Sequence, residues 1–204
     1  PEVGLTSLFS LKRTGSLPSE PMPADSPWGN QTNLTVVITA GSGGTGFIGI
    51  EIAKAYGAAH IATAATGAEE IEFVKSLGAT YVVDYKKEDI FASLPADSVD
   101  IVYDNYGAEG TADKAMRTLR DGGVYLLLPH SECYAKKIQG PPCLSANPKP
   151  GVRQLNYDTS PDFAQYSTQG LQELTRLFEA GVLTAQIAKT FHGLENAGAA
   201  FNFS

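Results

Sequence analysis

From residue 34 onward, short β-branched runs alternate with segments whose apolar residues recur at helical spacing, and this alternation limits the folds open to the chain. The runs are apolar nearly throughout, which is typical of strands covered on both faces of a sheet. Regular alternation of strands and helices predicts a parallel sheet with right-handed crossovers. The runs occupy residues 35–39, 60–64, 81–84, 100–104 and 124–128.

The segments between the runs carry apolar stripes that predict amphipathic helices. Each stripe is followed by glycine, the common helix stop, at Gly57, at Gly78 and at Asp121-Gly122-Gly123. The predicted fold is therefore α/β, a doubly wound parallel sheet with helices on both faces in three αβα layers. The stripes consist of Ile48, Ile52 and Tyr56; of Ile71 and Val74; and of Ala112, Ala115, Met116 and Leu119.

Charge and composition favour a small-molecule partner. The chain has 22 acidic and 15 basic side chains and a net charge of −7, whereas nucleic-acid and polybasic membrane sites need clustered positive charge. Apolar stretches of about five residues are far shorter than the roughly 20 that span a bilayer. Cys133 and Cys143 have no His or Cys companion at ligand spacing. The sequence thus predicts no disulfide framework, no metal site and a reducing, cytoplasmic location.

A glycine-rich segment at residues 38–54, ITAGSGGTGFIGIEIAK, lies directly after the first strand and directly before the first helix of the repeat. This is the context that a dinucleotide-binding fingerprint requires. We expect Gly43 and Gly44 to let the backbone approach a pyrophosphate, and Gly46 to let the helix pack closely on the strand. The amides and the dipole of the first helical turn favour phosphate, and Ser42 and Thr45 offer further donors.

The end of the second strand bears on the choice between NADPH and NADH. The stretch is Ala64-Ala65-Thr66-Gly67, with no carboxylate to bind an adenosine ribose, so it leaves room for a 2′-phosphate with Thr66 and the amides around Gly67 as donors. Glu69 and Glu70 follow at once. One glutamate at ~8 Å from a doubly charged phosphate opposes binding by about 1 kcal/mol in water. NADPH is preferred, and NADH is the less favoured cofactor.

The ends of the chain differ from this central region. Residues 1–15 place Leu5, Leu8 and Leu11 at helical spacing, and residues 16–33 contain four prolines that predict a surface loop. We assign residues 1–33 to a connecting helix and Pro-rich loop, and residues 34–204 to the dinucleotide-binding domain with a C-terminal helical extension. The later pattern predicts a strand at 153–157, a helix at 162–180 that buries Leu171, Leu174, Leu177 and Phe178, and a helix at 194–201.

The sequence lacks the residues that two other classes of nucleotide-binding protein require. A short-chain dehydrogenase needs Tyr and Lys four residues apart, which occurs at none of the nine tyrosines, and a P-loop needs Gly-Lys where Gly46 is followed by Phe47. A lone loop histidine such as His130 is more often a surface residue than a proton donor. No catalytic residue is assigned.

Three segments resemble the cofactor domain of zinc-independent quinone oxidoreductases and alkenal or enone reductases of the medium-chain dehydrogenase/reductase superfamily. They are VVITAGSGGTGFIGIEIAKAYGA, IEFVKSLGATYVVDYKKED and DIVYDNYGAEGTADKAMRTLRDGGVYLLL. The family's A-x-x-G-x-x-G fingerprint is met by Ala40, Gly43 and Gly46. The resemblance continues through QELTRLFEAGVLTAQIAKTFHGLENAGAAF and implies a Rossmann fold.

The resemblance also implies further cofactor contacts. Tyr85 is expected near the adenine ribose and 2′-phosphate, although from its own pattern it equally fits a half-buried strand end. Asn105, Tyr106 and Gly107 are expected to line the groove, although Asn105 also suits a simple turn. Leu128, Pro129 and His130 are expected near the nicotinamide. The predicted cofactor-binding set is Ala40, Ser42, Gly43, Gly44, Thr45, Gly46, Ala65, Thr66, Gly67, Tyr85, Asn105, Tyr106, Gly107, Leu128, Pro129 and His130.

By the same resemblance, the intact enzyme transfers hydride from NADPH to a quinone or an α,β-unsaturated carbonyl, and is a homodimer. Two departures stand out. Glu70 occupies the position where family members often carry a lysine for the 2′-phosphate, and nothing corresponds to the family's GroES-like substrate domain, which we expect to be missing. The alternative hypothesis is a non-catalytic NAD(P)H-binding sensor or scaffold module.

Overall fold

The computed structural model describes residues 2–13, 17, 32–128, 143–156, 162–187 and 189–203. Within these residues, six strands form one sheet in which every pairing is parallel. The strands are β1 (Thr32–Ile38), β2 (Ala58–Ala65), β3 (Tyr81–Asp84), β4 (Val99–Asp104), β5 (Leu119–Leu127) and β6 (Arg153–Asn156), and their spatial order is β3-β2-β1-β4-β5-β6. This order confirms the doubly wound sheet predicted from the sequence.

Helices cover both faces of the sheet. The helices in the described residues are α1 (Glu2–Arg13), α2 (Gly44–Ala55), α3 (Ala68–Leu77), α4 (Ile90–Ser93), α5 (Thr111–Thr118), α6 (Asp162–Glu179) and α7 (Ala197–Phe203), the last preceded by a 3₁₀ turn at Leu194–Asn196. Residues of α1, α2, α3 and α6 join one apolar cluster, and residues of α4 and α5 join the other. The three αβα layers are thus confirmed.

Alternating strand residues feed the two clusters. Val36 and Ile38 of β1 belong to the cluster under α2, while Val37 between them belongs to the cluster under α5. All three side chains are fully buried. Side chains of a strand alternate between faces, so a strand covered on both sides must be apolar throughout. This requirement explains why the sequence shows continuous apolar runs.

Helix α1 packs against α2 and α6 and buries the predicted stripe of Leu5, Leu8 and Leu11. Its contact with α6 is close, because a Cβ placed on Gly170 would lie 2.7 Å from a methyl carbon of Leu5. Gly170 therefore fixes which side of α6 faces the core. Leu174 and Leu177 lie on that side and are buried, whereas Leu171 and Phe178 are exposed by 42% and 39%. The prediction that the latter two are buried was wrong.

The junction between α5 and β5 also differs from the prediction. The helix ends at Thr118 and the strand begins at Leu119, so the Asp121-Gly122-Gly123 stretch lies inside β5 instead of ending a helix. Gly122 has φ +74°, and a Cβ on Gly123 would lie 3.3 Å from the carbonyl oxygen of Asp100. The glycines permit an irregular start to β5, where its register with β4 shifts.

The cysteine prediction requires a correction. Cys143 is buried and forms a disulfide, so the expectation that the cysteines form no disulfide was wrong. Cys133 lies outside the described residues. Spacing between cysteines does not report their distance in the fold, and pairing depends on that distance.

A buried carboxylate in α2 makes the stability of the fold depend on pH. Glu51 is 5% exposed and accepts hydrogen bonds from the Thr184 hydroxyl at 2.6 Å and the Thr184 amide at 3.2 Å. Burial raises the pKa of Glu51, and the bonds from Thr184 oppose this only in part. A raised carboxyl pKa means that folding disfavours the charged form, so stability falls as pH rises from the unfolded-state pKa through the folded-state pKa.

We expect Glu51→Gln to be more stable than the parent at about pH 8, by on the order of 1 kcal/mol, with the difference shrinking towards about pH 4. The glutamine side chain carries no charge, its oxygen can accept from the Thr184 backbone amide, and its NH₂ can donate to the Thr184 hydroxyl, which can act as an acceptor. Thermal unfolding across this pH range measures the effect, and exposed Glu179→Gln serves as the control. A difference between Glu51→Gln and the parent that does not change with pH would contradict the role given to burial.

Candidate nucleotide site

The candidate site lies where the carboxyl ends of β1 and β4 meet. These strands are neighbours in the centre of the sheet. The helix that follows β1 covers one face and the helix that follows β4 covers the other, so the two connections diverge at this point. Such a switch in connection direction leaves a crevice at the ends of the strands, which is where doubly wound folds bind ligands.

The turn from β1 into α2, residues 39–46, is called here the phosphate turn. Ala40 has φ +49°, a conformation that is strained for a residue with a side chain, and its carbonyl accepts the Gly43 amide at 3.0 Å. A Cβ on Gly46 would lie 2.1 Å from the Ala40 carbonyl oxygen. The turn can close against the helix only with glycine at position 46, as the sequence predicted from its fingerprint.

Other glycines of the turn meet different neighbours. A Cβ on Gly41 would lie 2.1 Å from Thr63 Oγ1 in β2, a constraint that the sequence analysis missed. A Cβ on Gly44 would lie 3.3 Å from Val3 of α1, and one on Gly43 would lie 3.2 Å from the Ala40 carbonyl. The small residue at position 44 therefore accommodates α1, which packs over the start of α2.

The N-terminus of α2 faces the crevice without a cap. Its N-cap residue is Gly43, which has no side chain to cap the helix, and no acidic residue occupies the first turn. Among the residues that the structure describes, no side chain accepts a bond from the first-turn amides. From α1, the Ser7 hydroxyl donates to the Thr45 carbonyl at 2.8 Å and lies 3.4 Å from the Tyr103 hydroxyl. The contact with α1 thus fixes the first turn of α2, and the amides of this turn remain available to an anion.

A buried carboxylate at the end of β4, that of Asp104, links β4 to the residue after β1 and to β5. Asp104 is fully buried, and its Oδ1 accepts the Thr39 hydroxyl at 2.7 Å, the Tyr106 amide at 3.1 Å and the Gly107 amide at 3.0 Å. Its Oδ2 accepts the Tyr125 hydroxyl at 2.5 Å. Burial first, and then the charge of Asp104, raise the pKa of the Tyr125 phenol, so this hydroxyl keeps its proton and donates.

The turn after β4, residues 105–107, is fixed by these bonds. The Asn105 amide donates to Thr39 Oγ1 at 2.8 Å, and the Asn105 side-chain nitrogen donates to the Thr39 carbonyl at 3.2 Å. Asn105 Oδ1 is buried and has no hydrogen-bond partner among the described residues. Tyr106 is 55% exposed, and Gly107 is buried. The turn therefore presents a buried oxygen acceptor, flanked by an exposed aromatic ring.

The ends of β2 and β3 bring Ala65, Thr66, Gly67 and Tyr85 together. The Tyr85 amide donates to the Ala65 carbonyl at 3.2 Å, and the Tyr85 side chain is 58% exposed. The Thr66 hydroxyl donates to Asp84 Oδ1 at 2.8 Å, and this bond is the main reason that the pKa of Asp84 is lowered. Gly67 is the N-cap of α3 and, as a glycine, makes no side-chain cap bond to the first-turn amides of this helix.

The side chain of Glu70 in α3 contacts the phosphate turn. Its Oε2 accepts the Ser42 hydroxyl at 3.1 Å, and the contact is exposed to solvent. Ser42 therefore lies in the turn as predicted, with its proton directed at a carboxylate of the protein.

At the end of β5, the Leu128 amide donates to the Asp104 carbonyl at 2.8 Å, which places Leu128 beside the turn after β4. Pro129 and His130 lie outside the described residues. The described residues contain no group of three or more His, Cys, Asp or Glu side chains that could hold a metal ion. No described helix is both long and apolar enough to cross a membrane.

Several known proteins are similar in sequence to this chain. The family model for zinc-binding dehydrogenases matches residues 44–132. The NADPH-dependent alkenal/one oxidoreductase of Arabidopsis thaliana is 40% identical over 95 residues, which make up 46% of this chain and 23% of that protein. The 2-haloacrylate reductase of a Burkholderia species is 31% identical over 175 residues, 80% of this chain and 50% of that protein. The matched part of the chain thus spans from under a quarter to half of these relatives' length.

Solved structures show the same fold. The quinone oxidoreductase of Escherichia coli, solved in complex with NADPH, superposes with a TM-score of 0.64 at 21% identity over 91% of this chain and 53% of that one. The quinone oxidoreductase of Coxiella burnetii superposes with a TM-score of 0.67 at 22% identity over 100% of this chain and 54% of that one.

Proposed function

We propose that this chain, a quinone-oxidoreductase-like member of the medium-chain dehydrogenase/reductase superfamily, binds NADPH and forms the nucleotide site of a reductase. The proposed substrates are quinones or α,β-unsaturated carbonyl compounds. The named activities of the relatives support this substrate class, since they include an alkenal/one oxidoreductase and a 2-haloacrylate reductase.

The observation that carries the proposal is the phosphate turn at the switch point of the sheet. The close approach of Gly46 to the Ala40 carbonyl aims the uncapped first turn of α2 along the crevice. Free amides and the positive end of a helix dipole together favour a diphosphate. A Gly-rich turn that served only to connect strand and helix would need no open helix end at the centre of the sheet.

Two further features fit a nicotinamide dinucleotide. Asn105 Oδ1, which is buried and has no partner within the described part of the chain, is an acceptor that a bound ligand can satisfy. Both the ribose hydroxyls and the carboxamide of such a cofactor donate hydrogen bonds. The uncapped start of α3, next to Thr66 and Gly67, offers amides to the phosphate that distinguishes NADPH from NADH.

The cofactor supplies hydride, and the protein supplies binding and orientation. Within the phosphate turn, Gly43 to Gly46 would hold the diphosphate, and the turn at residues 105–107 would contact the nucleotide. The latter turn is held in place by hydrogen bonds to Asp104, which itself accepts a hydrogen bond from Tyr125. Leu128, Pro129 and His130 are proposed to line the nicotinamide end, and Tyr85 the adenosine end.

The remaining parts of the proposal concern the intact protein. We assign residues 34–204 to the nucleotide-binding domain and residues 1–33 to a connecting helix and loop. We further propose a homodimer that acts on a small molecule and binds neither nucleic acid nor membrane. The reducing, cytoplasmic location predicted from the cysteines loses its basis, because Cys143 forms a disulfide. Light scattering coupled to gel filtration measures the assembly state.

A non-catalytic nucleotide-binding module is the second candidate. One observation favours it. The hydroxyls of Thr39, Thr66 and Tyr125 all donate hydrogen bonds to carboxylates of the protein, so these three hydroxyls do not offer their protons to a substrate. Oxidation of NADPH by a quinone in the presence of the chain supports the reductase. Tight binding without turnover across quinones and enones supports the module.

Calorimetric titration with NADPH and NADH tests the shared premise. We expect NADPH to bind with a dissociation constant in the micromolar to millimolar range and to raise the melting temperature by mass action. Tighter binding of NADH would reverse the cofactor preference. Absence of heat and of a thermal shift with either nucleotide at millimolar concentration would remove both candidates.

A further inference from the structure

We infer that Glu70 is a specificity-determining residue that weakens the preference of this site for NADPH over NADH. The inference rests on the proposed function. It starts from the contact between α3 and the phosphate turn, where Glu70 Oε2 accepts the Ser42 hydroxyl at 3.1 Å. A carboxylate of the protein thus takes a hydrogen bond from the segment proposed to hold the cofactor's phosphates.

Glu70 lies in α3 close in sequence to Thr66 and Gly67, where we propose that the adenosine end of the cofactor binds. It lies in the first turn of the helix, three residues after Gly67, the uncapped N-cap. A helix N-terminus attracts anions, so a carboxylate in the first turn competes for the same favourable field as an incoming phosphate. Glu69 shares the turn and adds to the negative charge, but the contact with the phosphate turn is made by Glu70.

Of the two lysines that follow Tyr85, Lys87 is already paired within the protein. Lys87 forms an ion pair with Asp84 at 3.2 Å, so its charge is partly neutralised inside the protein. The Thr66 hydroxyl also donates to Asp84. The hydroxyls of Ser42 and Thr66 therefore both point at carboxylates, and a 2′-phosphate must displace these contacts or bind through other donors, such as backbone amides.

The consequence differs between the two cofactors. NADH and NADPH share the diphosphate, but only NADPH brings a 2′-phosphate of about two negative charges to the adenosine end. Repulsion from Glu70 therefore lowers the affinity for NADPH more than that for NADH. Because the contact is exposed to solvent, salt screens the repulsion, and the discrimination between the cofactors should improve as ionic strength rises from low values.

The test compares Glu70→Gln and Glu70→Lys with the parent by titration with NADPH and with NADH at low and at physiological salt. Glu72→Gln is the matched control, since Glu72 lies on the same helix, loses the same charge and pairs with surface Lys75 at 2.8 Å. We expect Glu70→Gln to tighten NADPH binding about three- to tenfold at low salt with little change for NADH, and Glu70→Lys to tighten it further. Glu72→Gln should alter neither.

Each other result has a distinct meaning. Equal tightening of NADPH and NADH by Glu70→Gln would overturn the specificity role and assign the charge to the shared diphosphate. Unchanged affinities in a Glu70→Gln variant with the parent's melting temperature would overturn any role in binding. Failure of the parent and every variant to bind either nucleotide would instead remove the proposed function.

Discussion

Gly46→Ala is expected to abolish NADPH binding and to lower the free energy of unfolding by about 2–4 kcal/mol. The added Cβ would lie 2.1 Å from the carbonyl oxygen of Ala40 and 2.9 Å from Cα of Gly41. Both atoms belong to the backbone, so no side-chain rotation can relieve the overlap. The start of α2 must then move away from the phosphate turn.

The loss of binding follows from this displacement. The first-turn amides of α2 are useful to a diphosphate only where the turn aims them at the crevice. A shift on the order of 1 Å misdirects several donors at once, because they belong to one rigid helix. Calorimetric titration with NADPH measures the affinity, and chemical denaturation measures the stability of the same variant.

Gly198→Ala is the matched control. Gly198 lies in α7, and a Cβ there would have no neighbour within 4 Å. Alanine in an open helical position should leave binding unchanged and affect stability only slightly. A folded Gly46→Ala variant that binds NADPH as the parent does would show that the close approach at position 46 plays no part in the site.

The strands and the phosphate turn could be predicted from the sequence because their signals are local. Val36, Val37 and Ile38 are apolar in succession because the strand is covered on both faces. The turn follows directly and carries glycine at position 46, where backbone contact demands it. Both signals lie within a dozen residues, so they need no knowledge of the tertiary structure.

The helix faces and boundaries were predicted less well because distant residues decide them. Leu171 and Phe178 have apolar spacing, but the close contact between Gly170 and Leu5 of α1 turns Leu174 and Leu177 inwards instead. Likewise, Gly122 and Gly123 carry the pattern of a helix stop, yet they serve an irregular strand that pairs with β4. A single helical pattern does not indicate which neighbour will cover it.

The polar contacts of the site were mostly invisible in the sequence. Thr39 and Asp104 are 65 residues apart, and only the pairing of β1 with β4 brings the hydroxyl to the carboxylate. The sequence did contain one signal, because Asp104 ends an apolar strand and a buried aspartate needs hydrogen-bond or ion-pair partners. Its partners could not be named without the strand order. The contact between Ser42 and Glu70 depends in the same way on how α3 packs.

Asp104→Asn is expected to lower the free energy of unfolding by about 2–4 kcal/mol and to weaken NADPH binding roughly tenfold. The carboxylate is fully buried and accepts four hydrogen bonds, from the hydroxyls of Thr39 and Tyr125 and the amides of residues 106 and 107. The amide of asparagine has the same shape but only one acceptor oxygen. Its NH₂ group would face a donor on one side.

Which hydrogen bonds are lost in Asp104→Asn depends on the orientation of the asparagine amide. If the amide oxygen stays with Thr39 and the turn at residues 105–107, the NH₂ faces Tyr125, whose own proton then lacks an acceptor. If the amide flips, the backbone donors of the turn lose theirs. In both cases a buried donor is unsatisfied, and the charge that strengthened the bonds is gone.

A double-mutant cycle with Tyr125→Phe separates these effects. Tyr125→Phe removes one donor to Asp104, so we expect a loss of about 1–2 kcal/mol alone and a coupling energy above about 0.5 kcal/mol with Asp104→Asn. Exposed Asp113→Asn, on the first turn of α5, is the control for loss of charge and should change binding little. Additive losses in the cycle would show that the phenol and the carboxylate act independently. Normal NADPH affinity in Asp104→Asn would show that the turn after β4 does not position the nucleotide.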